Sequence, residues 1–180
     1  MKVNFIAYLS LFFLIGSYVP VCAQPGTEHK AEEINWMSFE EAVQLNEKEP
    51  KKIFIDVYTN WCGWCKRMDA TTFKDSAIVA YMNKNYYAVK LNAETHDTIR
   101  FKGKAFVFRP EYRVNELALS LHNGKMSGYP SYIFLDEKYN LLTILPGYQQ
   151  VADFIKVLRY FGENLFKTIT WENYHNQKDP

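Results

Sequence analysis

Cysteine is scarce in this chain, which has only three among 180 residues: Cys22, Cys62 and Cys65. Exported domains that depend on disulfides for stability carry several cysteines, and a single pair two residues apart closes too small a loop to restrain much chain entropy. A zinc site needs four ligands, and no second cysteine pair is present to join His96 or His122. We therefore expect no metal and no cofactor, and chemistry explains Cys62 and Cys65 better than structural stabilisation does.

An excess of charge of either sign is also missing, because 21 basic residues face 20 acidic ones. This balance gives no reason to expect a nucleic acid or an anionic membrane surface as a partner. The sequence has no internal repeat and no low-complexity segment. Its length suits one domain with a substantial core, and we expect a monomer.

A long apolar run occurs only at the N-terminus, where Lys2 precedes an uncharged, mostly apolar stretch that ends in Val21-Cys22-Ala23. This is the plan of a secretory signal peptide, so we expect residues 1–23 to be removed and the protein to be periplasmic or secreted. An uncleaved membrane anchor is the alternative, although the apolar core is shorter than the ~20 residues of a spanning helix. A lipoprotein anchored through Cys22 is less favoured, because Val21 stands where such signals carry a small residue.

The remaining chain divides into a flexible segment over residues 24–35, one domain over residues 36–167 and a polar tail over residues 168–180. Near the start of the domain, Ser38 and Glu41 have the spacing of a helix capping box. The helix that follows is expected to present one apolar face, formed by Phe39, Ala42, Val43 and Leu45.

Strands and helices then alternate. Short apolar, β-prone runs predict strands over residues 52–58 and 86–92. Between them we expect one helix over residues 62–68 and a second that is capped by Asp75 or Ser76. This β–α–β order predicts a parallel strand pair with a right-handed crossover.

The second half of the domain begins with a less regular segment. A hairpin about Gly103 is predicted within residues 99–108, followed by a helix over residues 114–121. Two further strands are expected, and an amphipathic helix closes the domain. The last three predicted elements are residues 131–135, 141–145 and 151–166.

The cysteine pair lies directly after a predicted buried strand and at the start of a predicted helix. The partial positive charge at a helix N-terminus favours a thiolate and lowers a cysteine pKa, so Cys62 is the candidate nucleophile. Cys65 lies one helical turn further on and deeper, where it would resolve the mixed disulfide between Cys62 and a substrate.

The segment IDVYTNWCGWCK, residues 55–66, resembles the active-site strand and turn of the thioredoxin family. YPSYIFL, residues 129–135, is similar to the family's cis-proline loop and its strand, and Gly147 matches the glycine before the last helix. The run TTFKDS, residues 71–76, resembles exported and DsbD-like thioredoxin domains. The resemblance implies an α/β thioredoxin-like fold, with a central mixed sheet flanked by helices and an inserted hairpin–helix segment at about residues 95–128.

The same resemblance implies roles for four further residues. Asp56 occupies the position of a buried acid that shuttles a proton for the inner thiol, and Lys90 matches the lysine that pairs with it. A paired, purely structural Asp56 is the alternative. A cis bond before Pro130 would turn the backbone of Tyr129 toward the cysteines for pairing with an extended substrate, whereas an ordinary trans turn would not.

Substrate binding is expected to involve Trp61, Gly63, Trp64, Tyr129 and Pro130. The two tryptophans would form an apolar docking rim, although Trp64 could be merely an exposed aromatic. The sequence departs from the family in having Gly63-Trp64 where thioredoxins usually carry Gly-Pro, and a bulky Tyr129 before the proline. The insert would add a partner surface or a lid, or be plain structural decoration.

The resulting hypothesis is a thiol–disulfide oxidoreductase that acts on the disulfides or thiols of exported proteins. Trp64 is neutral and gives a thiolate little stabilisation, which favours a disulfide reductase or electron carrier. A reductase in an oxidising compartment needs an electron donor, for which a membrane thiol relay is the candidate. The alternatives are a disulfide oxidase or isomerase, and a non-catalytic binding or chaperone module with the same fold.

Overall fold

The computed structural model describes residues 32–176 of the chain. The expected signal peptide and most of the expected flexible segment lie outside these residues. The strands are β1 (Trp36–Met37), β2 (Lys52–Tyr58), β3 (Tyr86–Asn92), β4 (Ile99–Phe101), β5 (Lys104–Phe106), β6 (Phe108–Arg109), β7 (Val114–Asn115), β8 (Ser131–Leu135) and β9 (Leu141–Pro146). The helices are α1 (Phe39–Lys48), α2 (Gly63–Ala70), α3 (Ser76–Asn85), α4 (Glu116–Leu121), α5 (Val151–Gly162) and α6 (Trp171–His175). No helix among residues 32–176 is long and apolar enough to cross a membrane.

The central sheet has five strands in the order β1-β3-β2-β8-β9. Strands β1, β3 and β2 are parallel, whereas β8 and β9 are antiparallel to their neighbours, so the sheet is mixed as predicted. The parallel β2–β3 pair confirms the β–α–β prediction, with α2 and α3 in the connection. In this register Asp56 lies directly opposite Lys90 on one side and Tyr132 on the other.

Helices cover both faces of the sheet, and the alternation of side chains along β2 decides what each face carries. Ile53, Ile55 and Val57 pack with α1 and α4, and we call this side the insert face. Phe54 points to the opposite side, which α2, α3 and α5 cover, and we call this side the redox face. Because Asp56 is two residues after Phe54 on β2, its carboxyl lies on the same side of the sheet, the redox face, which α2 covers.

Helix α1 begins where the capping box predicts, since the Ser38 side chain accepts from the Glu41 N–H and Glu41 bonds back to Ser38. Its buried face differs from the prediction: Leu45 is 41% exposed and Asn46 is buried instead. Phe39, Ala42 and Asn46 form the buried stripe. Asn46 tolerates burial because its amide donates to the Glu137 carbonyl and accepts from the Lys51 N–H, both at 2.8 Å.

The insert contains more structure than the sequence predicted. The hairpin about Gly103 is confirmed as β4–β5, and a second short antiparallel pair, β6–β7, follows it. The helix predicted from Val114 begins instead at Glu116, because Val114 and Asn115 pair with β6. The Asn115 side chain caps the helix by accepting from the Leu117 N–H at 3.0 Å.

Helix α5 ends four residues earlier than predicted, at Gly162, because Asn164 adopts a left-handed conformation with φ of 60°. The segment expected as a polar tail contains α6, which the sequence did not predict. The Trp171 ring of α6 lies 5.3 Å from the Tyr160 ring of α5. The Tyr160 hydroxyl also donates to the Ile169 carbonyl at 2.8 Å, which fixes this segment against the domain.

Candidate active site

Cys62 and Cys65 form a disulfide at the N-terminus of α2, with their Cα atoms 5.3 Å apart. Cys62 is the N-cap residue, and its sulfur accepts from the Cys65 N–H at 3.0 Å. The residues are 4% and 2% exposed, so both are nearly covered and the expected difference in depth is small. The N–H at the Cys62 sulfur favours a thiolate there when the bond is reduced.

Asp56 is 1% exposed, and its Oδ2 accepts from Lys90 Nζ at 2.6 Å, so the structure brings the predicted pair together. Its other oxygen, Oδ1, has no hydrogen-bond partner among residues 32–176. Burial raises the pKa of Asp56 to about 6 despite the opposing attraction of Lys90. A half-satisfied carboxyl that titrates near neutral pH suits proton transfer better than a purely structural role.

Lys90 bonds to a second carboxylate, that of Asp69 on α2, which the sequence reasoning missed. Burial alone would lower the pKa of Lys90, but its attraction to Asp56 and Asp69 outweighs this and raises it. Asp69 is four residues after Cys65, hence on the same side of α2, and that spacing could have indicated it. Its side chain is 45% exposed, so Lys90 connects a buried carboxyl to an accessible one.

A cavity of about 270 Å³ opens beside this ion-pair network and is lined by Lys90, Asp69 and the Trp36 ring, among others. Lys90 Nζ lies 4.8 Å from the centre of the Trp36 ring. The cavity therefore adjoins the accessible end of the network, where Lys90 meets Asp69.

The peptide bond between Tyr129 and Pro130 is cis, as the resemblance implied. The Pro130 carbonyl accepts from the Gly147 N–H at 2.8 Å, which joins the loop to the start of the segment before α5. The Tyr129 ring packs edge-on against Trp61, with ring centres 5.7 Å apart. Because Trp61 precedes Cys62 and Tyr129 precedes Pro130, this contact brings the two expected parts of the site together.

The residue after the cis-proline makes a buried contact that the sequence did not indicate. The Ser131 hydroxyl lies 2.9 Å from Nε2 of His122, whose Nδ1 donates to the Ala118 carbonyl at 2.7 Å. Burial lowers the pKa of His122 and favours its neutral form. Since His122 directly follows α4, this bond connects the insert to the cis-proline segment.

The two tryptophans are exposed, Trp61 by 66% and Trp64 by 55%, as a docking rim requires. Each is held on one side: Trp61 Nε1 donates to the Glu94 carboxylate at 3.0 Å, and the Trp64 ring lies 5.5 Å from that of Tyr148. Gly63 between the cysteines is also exposed, and a side chain there would meet no heavy atom within 4 Å. Glu94 and Tyr148 were not predicted.

Within residues 32–176, no group of three or more histidine, cysteine, aspartate or glutamate side chains is placed to hold a metal ion. The reactive groups of the site are its sulfur pair and the buried carboxyl of Asp56. A disulfide at a helix N-terminus, beside a cis-proline loop and above a buried acid on a mixed sheet, defines the class of thioredoxin-fold redox sites.

The family whose sequence pattern matches residues 39–162 is the thioredoxin-like domain, and the chain belongs to this family. A thioredoxin from Thermus thermophilus has the same fold, with a TM-score of 0.56 and 18% identity over 82% of this chain and 99% of that one. A solved structure described as a putative disulphide-isomerase from Bacteroides thetaiotaomicron has a TM-score of 0.52 and 27% identity, over 74% and 96% of the two chains.

Sequence similarity also extends to the thiol:disulfide interchange protein DsbD of Actinobacillus pleuropneumoniae. The two are 34% identical over 80 residues, which is 39% of this chain and 14% of that protein. The matches to curated relatives span between 14% and 50% of those relatives' own length. These sequence matches therefore cover only a part of each relative.

Proposed function

We propose that this protein exchanges disulfides with exported proteins through Cys62 and Cys65, as a disulfide reductase or electron carrier. The disulfide at the N-terminus of α2 is the observation that carries this proposal. In the reduced protein the Cys62 thiolate attacks a substrate disulfide, forms a mixed disulfide and releases one substrate thiolate. Cys65 then attacks the Cys62 sulfur and releases the second, so two electrons pass to the substrate and the Cys62–Cys65 bond forms.

Asp56 is the proton acceptor in the second step. Cys65 attacks only as a thiolate, so its proton must leave a nearly closed site. The Asp56 carboxyl lies on the sheet face that α2 covers, has an unpartnered oxygen and has a pKa of about 6, so it is mostly ionised at neutral pH. Lys90 and Asp69 then connect it to solvent.

The uncharged dipeptide between the cysteines supports the reducing direction. The residues between them are Gly63 and Trp64, and neither carries a charge that would stabilise the Cys62 thiolate and make the pair a strong oxidant. The electron donor is then a membrane thiol relay, for which the similarity to an interchange protein is a supporting observation. Export through residues 1–23 places the reaction in the periplasm or outside the cell.

An isomerase is the second candidate, favoured by the similarity to the Bacteroides structure described as a putative disulphide-isomerase. The two functions differ in their need for Cys65. An isomerase completes its cycle when a substrate thiol displaces Cys62, whereas a reductase needs Cys65 to release the substrate.

The test compares Cys62→Ser and Cys65→Ser with the unaltered protein on two substrates: a peptide disulfide and a scrambled multi-disulfide protein. We expect Cys62→Ser to lose all exchange, because the nucleophile is gone. Cys65→Ser is expected to trap a mixed disulfide with the peptide and to lose turnover. Full turnover by Cys65→Ser on the scrambled protein would favour the isomerase, and full activity of Cys62→Ser would contradict a role in exchange.

A further inference from the structure

We propose that the insert supplies one wall of a substrate groove beside the disulfide, in which Tyr112 contacts an apolar side chain and Arg113 binds a carboxylate of the exchanging polypeptide. The occupant is an extended segment of the substrate protein with an acidic residue close to its reactive cysteine. This inference rests on the proposed function and names the kind of substrate that the site prefers.

A cavity of about 440 Å³ forms the groove, and its lining residues are Trp61, Glu94, Tyr112, Arg113, Val114 and Tyr129. Two of them belong to the exchange site, since Trp61 precedes Cys62 and Tyr129 precedes Pro130. Any polypeptide whose disulfide reaches the Cys62 sulfur must pass next to these rings. The groove is thus continuous with the place where the substrate reacts.

The rings of the groove are unusually accessible. Trp61 is 66% exposed and Tyr112 is 62% exposed, and Tyr129 is partly buried against Trp61. Only five large hydrophobic side chains are exposed among residues 32–176, and these two share one cavity. Clustered exposed aromatics beside a reactive group are typical of a binding surface, because rigid rings supply contact area at little entropic cost.

The wall from the insert is held firmly at its base. Tyr112 and Arg113 lie in the turn between β6 and β7, and Asn115, two residues after Arg113, donates its N–H to the Ala93 carbonyl at 2.7 Å. The Arg109 guanidinium pairs with Glu116 across the same turn. A groove that is formed before binding loses little free energy to ordering when a ligand arrives.

The two charged residues that line the groove, Glu94 and Arg113, differ in whether they have a partner. Both oxygens of Glu94 accept from the Trp61 indole, at 3.0 and 3.1 Å, whereas Arg113 is exposed and forms no ion pair within residues 32–176. Arg113 also has a φ of 56°, a conformation that glycine or asparagine adopts more readily, so the backbone conformation does not explain why an arginine occupies this position. A free guanidinium is suited to a carboxylate, which it binds through two parallel hydrogen bonds.

The test uses three peptide disulfides that are identical except for a glutamate, glutamine or lysine next to one cysteine. Rate constants for their reduction by the reduced protein are measured at low and at high salt. We expect the glutamate peptide to react about threefold faster than the lysine peptide at low salt, as for an accessible ion pair, and salt to shrink this ratio. Arg113→Glu is expected to reverse the ratio and Arg113→Gln to bring it close to one.

Lys102→Glu provides the matched control, because Lys102 is also an exposed cation of the insert with a positive φ, of 47°, but it lies in the β4–β5 turn outside the groove. It should retain the ratio of the unaltered protein. Taking the ratio of two peptides within each variant removes any general loss of activity from the comparison.

Equal rates for the glutamate and lysine peptides in the unaltered protein would overturn the groove assignment. A glutamate-to-lysine rate ratio in Arg113→Glu equal to that of the unaltered protein would also overturn it. The unaltered protein is also measured with hydroxyethyl disulfide, which is small and neutral. Failure to reduce this compound would contradict the proposed exchange function itself, whereas its reduction together with equal peptide rates would contradict the groove alone.

Discussion

Two sets of buried polar groups, one on each face of the sheet, differ in whether they have hydrogen-bond partners. On the insert face His122, Ser131 and Asn115 are fully engaged in hydrogen bonds within the domain. On the redox face the Asp56 Oδ1 and the Tyr132 hydroxyl are buried without partners among the described residues. The register places these two residues directly opposite each other on β2 and β8.

Satisfied buried groups stabilise a fold, whereas unsatisfied ones destabilise it and persist where the chemistry uses them. The hydrogen bonds of the insert face therefore hold the cis-proline segment in place, and the unsatisfied carboxyl of the redox face is the proton acceptor that we propose. Burial, together with the charge of Asp56, raises the pKa of Tyr132, so its hydroxyl stays protonated.

The largest effect is expected from a substitution that removes hydrogen bonds on the insert face. His122→Ala removes a ring that is 3% exposed, leaves the Ser131 hydroxyl without its partner and leaves the Ala118 carbonyl with only the backbone N–H of residue 122. We expect a loss of about 2–4 kcal/mol in the free energy of unfolding, measured by urea denaturation of the oxidised protein. His96→Ala is the control on an exposed histidine and should cost less than about 1 kcal/mol. Equal losses in the two variants would contradict the structural role of His122.

On the redox face, a substitution is expected to affect the rate of thiol–disulfide exchange most strongly. Asp56→Asn removes the proton acceptor, so the step in which Cys65 closes the disulfide should slow about 100-fold at pH 7, the lower end of what a general base contributes. In the unaltered protein this step should accelerate as the pH rises through about 6, and the variant should lose that dependence. Stopped-flow tryptophan fluorescence measures it, with Glu47→Gln on α1 as a surface control.

The same substitution should stabilise the fold. The folded pKa of Asp56, about 6, lies above the ordinary value of 3.8, so the native state binds an extra proton between these values and loses stability as the pH rises through that window. Asp56→Asn should therefore gain about 1–3 kcal/mol at pH 7 and little at pH 4.

The pH dependence of stability also distinguishes the two faces of the sheet, because His122 changes the free energy of unfolding with pH in the opposite direction to Asp56. Its folded pKa is lowered, so the unfolded state binds the extra proton and stability falls as the pH drops below about 6.5. A gain in stability of Asp56→Asn that is equal at pH 4 and pH 7 would contradict the raised pKa.

The smallest effect is expected at Asp69, whose charge helps to raise the pKa of Asp56. Asp69→Asn should move the midpoint of the rate profile to lower pH and change the rate at pH 7 by less than about twofold, because the group is partly exposed. The stopped-flow profile measures the shift. A midpoint displaced to higher pH would contradict this and would mean that Asp69 acts mainly by holding Lys90 in place beside Asp56.

The parts of the site that the sequence predicted are those within short, continuous patterns. A buried strand followed by the cysteine pair fixes β2, the start of α2 and the position of Asp56, and two adjacent parallel strands bring Lys90 opposite it. The cis bond before Pro130 and the pairing of Lys90 with Asp56 were implied by the resemblance to the thioredoxin family, and the structure has both. Local propensities and one strand pairing were enough only for the positions of the strands and of the cysteine pair.

The contacts that were missed join residues from separate segments. Ser131 meets His122, and Trp61 meets Glu94, through the packing of the insert, which periodicity does not determine. The buried face of α1 was also predicted incorrectly, with Leu45 in place of Asn46. Contacts with separate segments are again the reason, because two hydrogen bonds compensate the burial of the Asn46 amide. Hydrophobic patterning gives the face of a helix but not the polar partners that a neighbouring loop supplies.

The equilibrium reduction potential of the Cys62–Cys65 couple tests the central claim most directly, by titration of the protein with glutathione or dithiothreitol buffers. The account predicts a two-electron couple near about −250 mV or lower, as for thioredoxin-type reductants. A potential near about −150 mV would contradict the reducing direction and favour an oxidase or isomerase. A protein with no titratable couple would contradict thiol–disulfide exchange altogether.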